Sequence, residues 1–472
     1  MKTISLFTAL FALVSNSFAI DYLVKLERID PVALKSFQTA HGGTVSLVSD
    51  VGRVIKWTTS KPADRLALDD SSVEYLQNNG ELSLPENSSL EQGKAKILSA
   101  IQDGQISLQS SEAADGLVYP DNPEFKVSGP SKVGTDPKVS STWGLESTGA
   151  KAAWKNAPQG KGVIVAVTDT GIDYNHEDLV NNLWLNSKEM AGNGLDDDGN
   201  GYIDDLVGWD FFSNDNKPYD AILTLMEILT SGGNPGHGTH VSGVIAAQMG
   251  NSIGSAGVAP QARIMALRFL SEKGKGSTEG AIKAIDYAVK NGAHIINASW
   301  GGEKGEEDDT LLKEAIIRAE QKGVLFLVAA GNGRMGIGFD NDNDAKPIIP
   351  ASLDYSNMVC VSAIDSVNGL AKFSNWGAKT CKIGAPGVKI LSSIPGNKYQ
   401  DTIVELGSTK VTWDGTSMAT PYVAGAAAVI WSTDLNQTAK EVRAKLLEHA
   451  KATPSLSGKI ATGGRMDLNW LR

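Results

Sequence analysis

Gly415-Thr416-Ser417-Met418-Ala419-Thr420-Pro421 runs directly into a small, apolar stretch from Tyr422 to Trp431. A glycine-containing turn followed by such a stretch predicts a buried helix, with Pro421 close enough to its start to be tolerated. Ser417 then stands where the free backbone N–H groups of a helix N-terminus point outward. A hydroxyl so placed is a candidate nucleophile, and it is weak without a base. His237, in His237-Gly238-Thr239-His240, supplies that base. Asp169, in Asp169-Thr170-Gly171, supplies a carboxylate to orient it.

Outward from these motifs, the chain alternates short apolar runs with amphipathic stretches from about residue 136. Residues 163–167, 263–268, 294–298, 324–329 and 358–363 suit buried parallel strands. Residues 278–290 (stopped by Gly292), 309–321 (stopped by Gly323), 417–431 and 438–450 suit helices. This alternation predicts an α/β fold of three layers, a mostly parallel sheet covered by helices on both faces. Asp169 then lies at the carboxyl end of a strand, where open α/β sheets place their ligands.

Ahead of this domain, residues 20–83 read as a small α+β unit. Residues 22–26 alternate like a strand, Asp30-Pro31 caps and opens a helix, and Gly42-Gly43 stops it. A hairpin over residues 44–58, a second short helix and a last strand near residues 73–76 complete the unit. Residues 84–135 are rich in Ser, Gly, Pro, Asn and Asp, with one helical patch over residues 90–101. They read as a linker exposed to proteolysis, which leaves residues 136–472 as the large domain. No accessory domain is expected after Arg472.

The 472 residues carry a net charge of −11 and no basic stripe, which argues against a nucleic-acid partner. Residues 1–19 resemble a secretory signal: Lys2, an apolar run from Ile4 to Val14, then Ser17-Phe18-Ala19 as a cleavage site. That run is too short to span a bilayer, and no later run reaches spanning length. The expected product is soluble and exported, extracellular or periplasmic. Cys360 and Cys381 are the only cysteines. In an oxidising compartment they form one bridge or remain buried thiols, and sequence does not choose between these.

The Asp169, His237 and Ser417 motifs follow the Asp…His…Ser order of the subtilisin type. On these residues, and over nearly all of residues 140–472, the chain resembles the subtilases, the secreted subtilisin-like serine proteases. The resemblance implies a serine endopeptidase with Asp169 as orienting carboxylate, His237 as general base and Ser417 as nucleophile. It makes His240 structural, although an i,i+3 histidine pair can also hold a metal. Ala329-Ala330-Gly331-Asn332 matches the position from which subtilases supply an oxyanion donor, here Asn332 with the Ser417 backbone N–H. Gly274-Lys275-Gly276 and Ser299-Trp300-Gly301-Gly302 match the two edges that clamp a peptide substrate by its backbone. Trp300 is expected to line the pocket for the side chain before the scissile bond. An α/β-hydrolase esterase is disfavoured, because Gly415-Thr416-Ser417-Met418-Ala419 is not a G-x-S-x-G elbow.

Calcium is the expected cofactor. Asp196, Asp198, Asn200 and Asp204 offer oxygens at alternate positions of a loop, although Val207 stands where the bidentate acid of an EF-hand belongs. Asn251-Ser252-Ile253-Gly254 resembles a subtilase calcium loop, with Asp178 as its distant carboxylate. Residues 340–344 are a third candidate. Residues 20–83, by position and pattern, resemble a ferredoxin-like inhibitory propeptide. The expected partners are peptide substrates and this propeptide, on a monomer that binds neither nucleic acid nor membrane.

Overall fold

In the computed structural model, the residues described are 19–60, 62–63, 70–85, 93, 96–99, 124–126, 133–220, 236–305, 309–406 and 409–471. The signal-like segment lies outside them, apart from residue 19. The stretch expected to hold a second short helix in the small unit is described only in part. Of the helical patch expected over residues 90–101, residues 93 and 96–99 are described and helical. Two compact units divide the chain, Met1–Asn79 and Gly80–Arg472.

The first unit comprises β1 (Ile20–Leu26), α1 (Pro31–His41), β2 (Thr44–Ser49), β3 (Val54–Thr59) and β4 (Val73–Asn78). Its strands form an antiparallel sheet in the order β2-β3-β1-β4. Asp30 caps α1 by accepting the N–H groups of Val32 and Ala33, both at 2.9 Å, and Gly42 closes the helix with φ +68°. Phe37 of α1 packs into a core of Tyr22, Val24, Ile55 and Trp57 from the sheet.

The second unit begins with β5 (Glu81–Ser83), which pairs with a strand far along the chain. The sequence reading places a boundary at residue 83. The compact units part before β5 because its hydrogen-bonding partner belongs to the large domain. Then come β6 (Ile164–Asp169), β7 (Gly208–Asp210), α2 (His237–Ala246), β8 (Arg263–Arg268), β9 (Lys275–Ser277), α3 (Thr278–Lys290) and β10 (Ile295–Ala298). They are followed by α4 (Thr310–Gln321), β11 (Leu325–Ala329), β12 (Met358–Ile364), β13 (Cys381–Pro386), α5 (Thr416–Ser432), α6 (Ala439–Glu448), β14 (Lys451–Ala452) and β15 (Gly464–Arg465).

Nine of these strands form one sheet in the order β14-β15-β13-β12-β11-β10-β6-β8-β7, parallel except at the β14–β15 edge. Alternate residues of the central strands, Val165, Val167, Ile295, Leu325, Leu327, Val359 and Val361, share one core with the buried residues of α2 and α5. The residues between them, Ala166, Ile296, Phe326 and Val328, are equally buried and face the other way, the arrangement of a sheet covered on both sides. Cys360 and Cys381, opposite each other on β12 and β13, form a disulfide.

After β6 the chain builds β7 and β8 on one side, then returns to place β10 on the other. The carboxyl end of β6 is therefore a topological switch point, and Asp169 is its last residue. Helix α5 is buried along all of its residues, so its N-terminus is fixed within the same layer.

Candidate active site

Asp169 is fully buried, and its Oδ1 lies 2.7 Å from His237 Nδ1. The same oxygen accepts the Thr170 N–H at 2.7 Å, which fixes the carboxylate on the strand end. His237 is the first residue of α2, and Gly236 reaches it through φ +83°, a left-handed conformation suited to glycine. His240, one turn on, points elsewhere. Its Nε2 donates to the Ile390 carbonyl at 2.9 Å, and its ring stacks on Trp413 with centroids 4.3 Å apart. The two histidines thus serve different acceptors and do not converge as a metal pair. Burial pushes the His240 imidazole down to about 3, so it is neutral in the fold.

Ser417 is the second residue of α5. Four positions later, Pro421 has no N–H to offer the Ser417 carbonyl, so the helical bond expected there cannot form. The Ser299 hydroxyl takes that carbonyl instead, at 3.0 Å, while the Ser417 hydroxyl donates to the Ser299 carbonyl, also at 3.0 Å. Asn297 Nδ2 donates to Ser299 Oγ and holds the side chain in place. Asn332 Oδ1 accepts both the N–H and the hydroxyl of Thr416, at 2.8 and 2.9 Å. The amide is thereby clamped with Nδ2 beside Gly415, where a Cβ would stand 3.2 Å away.

Asp220 is a residue that sequence reasoning missed. It is wholly buried behind the Asp169–His237 pair, accepting the Thr170 hydroxyl at 2.8 Å and the N–H and hydroxyl of Thr239 at 2.9 and 2.7 Å. It thus ties the end of β6 to the first turn of α2. Burial pushes its carboxyl up to about 7 against the lowering effect of these donors. Its partners lie 19 and 50 positions away, so no local pattern marks it.

The two expected peptide edges are occupied by the chain itself. β5 pairs antiparallel with β9, setting Leu82 opposite Gly276 and Ser83 opposite Lys275. On the other side Ser83 and Gly301 exchange both backbone hydrogen bonds at 3.0 Å, and the Leu84 N–H donates to the Gly274 carbonyl at 2.9 Å. Gly274 (φ +71°) is needed twice over, because a Cβ there would also stand 2.8 Å from Leu84. Leu82 is buried. Trp300 departs from the expectation that it lines a side-chain pocket. Its indole is fully buried, donates to Thr168 Oγ1 at 2.9 Å and packs edge-on against Phe269. The cause is strand alternation: Ser299 faces Ser417, so Trp300 must face the opposite way.

In the acidic loop, the carboxylates that converge are Glu189, Asp196 and Asp198. Glu189 Oε1 accepts the N–H groups of Asp197 and Asp198, while Oε2 is buried without a hydrogen-bond partner. An orphaned carboxylate oxygen beside two more carboxylates fits a hard cation. Of the other expected ligands, Asp204 is not among the three carboxylates that converge, and Asn200 Oδ1, the atom a cation would use, accepts the Tyr202 N–H. Asn200 Nδ2 donates to Asp205, and both Asp204 oxygens accept backbone N–H groups of Asn193 and Gly194. At the second site, Asn251 Nδ2 donates to Asp178 Oδ1 at 2.7 Å, and Asp178 Oδ2 is a second buried orphan. Burial pushes the Asp178 carboxyl up to about 8, an effect that a cation held there would oppose. In the third candidate, Asp340 and Asp342 oxygens are spent on hydrogen bonds within the loop and to Lys379 and Thr380.

The family described as the subtilase family matches residues 160–463. Subtilisin-like protease 1 of Plasmodium falciparum (isolate 3D7) is 32% identical over 343 residues, covering 69% of this chain and 46% of that protein. The thermophilic serine proteinase of Bacillus sp. (strain AK1) is 35% identical over 294 residues, covering 62% and 58%. The thermostable alkaline protease of Halalkalibacterium halodurans is 34% identical over 319 residues, covering 67% and 70%. The chain spans about half the length of the Plasmodium subtilisin-like protease 1 relatives it matches.

Proposed function

The chain belongs to the subtilase family, and we propose that it is a secreted serine endopeptidase, made as a self-processing proenzyme. The observation that carries this reading is the Asp169–His237 pair at 2.7 Å, with Ser417 at the buried N-terminus of α5 in the same unit. Asp169 holds His237 in the tautomer with Nδ1 protonated, leaving Nε2 as the base that takes the Ser417 proton. Ser417 Oγ adds to the substrate carbonyl, and the oxyanion is met by Asn332 Nδ2 and the Ser417 backbone N–H. His237 then hands its proton to the leaving amine, and water hydrolyses the acyl-enzyme by the reverse sequence. Losing one such oxyanion donor costs about 10²–10³ in rate in subtilisin, a protein of this family. The edges at Gly274–Gly276 and Ser299–Gly301 hold the substrate by its backbone, so protein and peptide chains are the substrate class.

Residues 20–83, with the linker to residue 135, act as a ferredoxin-like propeptide. The strand order of the first unit and the hold of residues 81–84 on both peptide edges support this. Glu189, Asp196 and Asp198, and separately Asp178 and Asn251, would hold structural calcium, which supplies positive charge to buried carboxylates. The signal-like residues 1–19 support export. No helix among the described residues is long and apolar enough to cross a membrane. The mature enzyme acts as a monomer.

The test is Ser417→Ala, which should abolish peptide hydrolysis and arrest maturation at full length. Adding His237→Ala should cost little more, because such residues act as a unit. Undiminished hydrolysis by the Ser417→Ala protein would sink the proposal.

A further inference from the structure

Between the two peptide edges, the chain's own segment follows a register that can be read one residue further. Ser83 and Gly301 form an antiparallel bridge in which both backbone hydrogen bonds are made. Hydrogen-bonded pairs recur every second residue where a ladder continues; this bridge is isolated, and its register carried one step on would set residue 85 opposite Ser299, whose carbonyl an N–H there could reach. Residue 85 is proline, which has no N–H to give. The Ser299 carbonyl receives the Ser417 hydroxyl instead, at 3.0 Å.

We propose that Pro85 makes segment 81–85 a ligand that the site binds like a substrate and does not cleave, and that the Ser299 carbonyl reads the difference. The inference rests on the endopeptidase reading above. A peptide with an N–H at the position of residue 85 donates it to the Ser299 carbonyl and displaces the Ser417 hydroxyl. The freed hydroxyl then gives its proton to His237. A proline at that position leaves the carbonyl open, and the Ser417 hydroxyl keeps its proton, directed at a carbonyl that cannot take it up and pass it to a leaving group. The backbone on either side favours this trap. Proline fixes its own φ and biases Leu84 towards the extended conformation in which Leu84 already meets Gly274. Grip and cleavage are thus separated. Ser83, Leu84 and the buried Leu82 supply the grip, and residue 85 decides whether chemistry follows.

Replacing Pro85 by alanine restores the donor and turns the ligand into a substrate. Ser417 Oγ bonds to the residue 85 carbonyl carbon and its proton passes to His237. The bond to the nitrogen of Glu86 breaks, and that nitrogen leaves with the proton. Water then hydrolyses the ester and leaves a carboxylate on residue 85. The maturing cut in the unaltered chain must fall elsewhere.

The experiment compares the full chain, Pro85→Ala, Pro85→Leu and Pro85→Ala combined with Ser417→Ala. N-termini are read by mass spectrometry over time, and casein hydrolysis is measured on the same preparations. Both single variants should yield a new N-terminus at Glu86, at least about tenfold faster than the unaltered chain, the effect of one backbone hydrogen bond on a barrier. The double variant should stay intact there. Equal cutting at Glu86 in the unaltered chain overturns the inference. So does an uncut 85–86 bond in variants that hydrolyse casein, and that result leaves the endopeptidase reading standing. Failure of every preparation to hydrolyse casein, with the 85–86 bond intact, overturns both.

Discussion

The reciprocal bonds between Ser299 and Ser417 exist because Pro421 withholds an N–H from the helix it helps to start. Ser299→Ala therefore leaves the Ser417 carbonyl buried without a donor. It should lower unfolding free energy by about 1–3 kcal/mol in denaturant titration, and kcat should fall with it. Two buried groups give opposite pH signatures. Burial lowers His240 from 6.5 to about 3, so its contribution to stability is lost as pH falls from 6.5 towards 3. Asp220 is raised from 3.8 to about 7, so its contribution is full below 3.8 and lost as pH rises through about 7. Between pH 4 and 6.5 the two effects offset each other, each with a slope of at most about 1.4 kcal/mol per pH unit. Asp220→Asn should therefore make stability climb more steeply with pH in this window, and His240→Gln should make it climb less. Thermal midpoints measured from pH 4 to 7 would show both, and parallel profiles for all three proteins would exclude them. The Asp169, His237, Ser417 and Asn332 motifs could be marked as candidates from sequence because each sits in a turn written by its own neighbours. Asp220 was not, since three distant donors define it, and Trp300 was misassigned because one strand residue more or less reverses the face.

At the scale of elements, the acidic loop is the clearest case of partial legibility. The carboxylate-rich run 196–205 announces an oxygen-ligand loop, yet Glu189 joins it from seven residues upstream of Asp196 by a fold of the chain that spacing does not encode. If calcium is held there, chelation should lower the unfolding midpoint, by about 2.7 kcal/mol of stability when free calcium had been a hundredfold above its Kd. Glu189→Gln should already lie near the chelated value and respond weakly to chelator, while an equal response in both proteins would assign the metal effect elsewhere. The Cys360–Cys381 pairing was likewise undecided from sequence, because it depends on which strands neighbour each other. β12 and β13 set the two residues in register across a loop of 21 positions. The double alanine variant should lose about 3 kcal/mol, the chain-entropy value for such a loop, read by denaturant unfolding with and without reductant.

For the whole molecule, the alternation of apolar runs and amphipathic stretches was enough to name an α/β fold with a largely parallel sheet. The boundary near residue 80 was less legible, since β5 finds its partner β9 some 194 positions later. A sheet assembled from such distant pairings forms slowly. Residues 80–472 alone should regain activity after dilution from denaturant markedly more slowly than the full chain, and equal rates would deny the first unit any part in folding. Helix α5, buried from Thr416 to Ser432, has a consequence for how this protein fails on heating. A nucleophile on a mobile loop can be lost by local opening while the rest of the protein persists. Here the amide protons behind Ser417 can exchange with solvent only when the central helix leaves the sheet, which dissolves the cooperative unit itself. Their exchange rates should report the global unfolding free energy, and loss of activity on heating should coincide with loss of structure, with no inactive folded form between them.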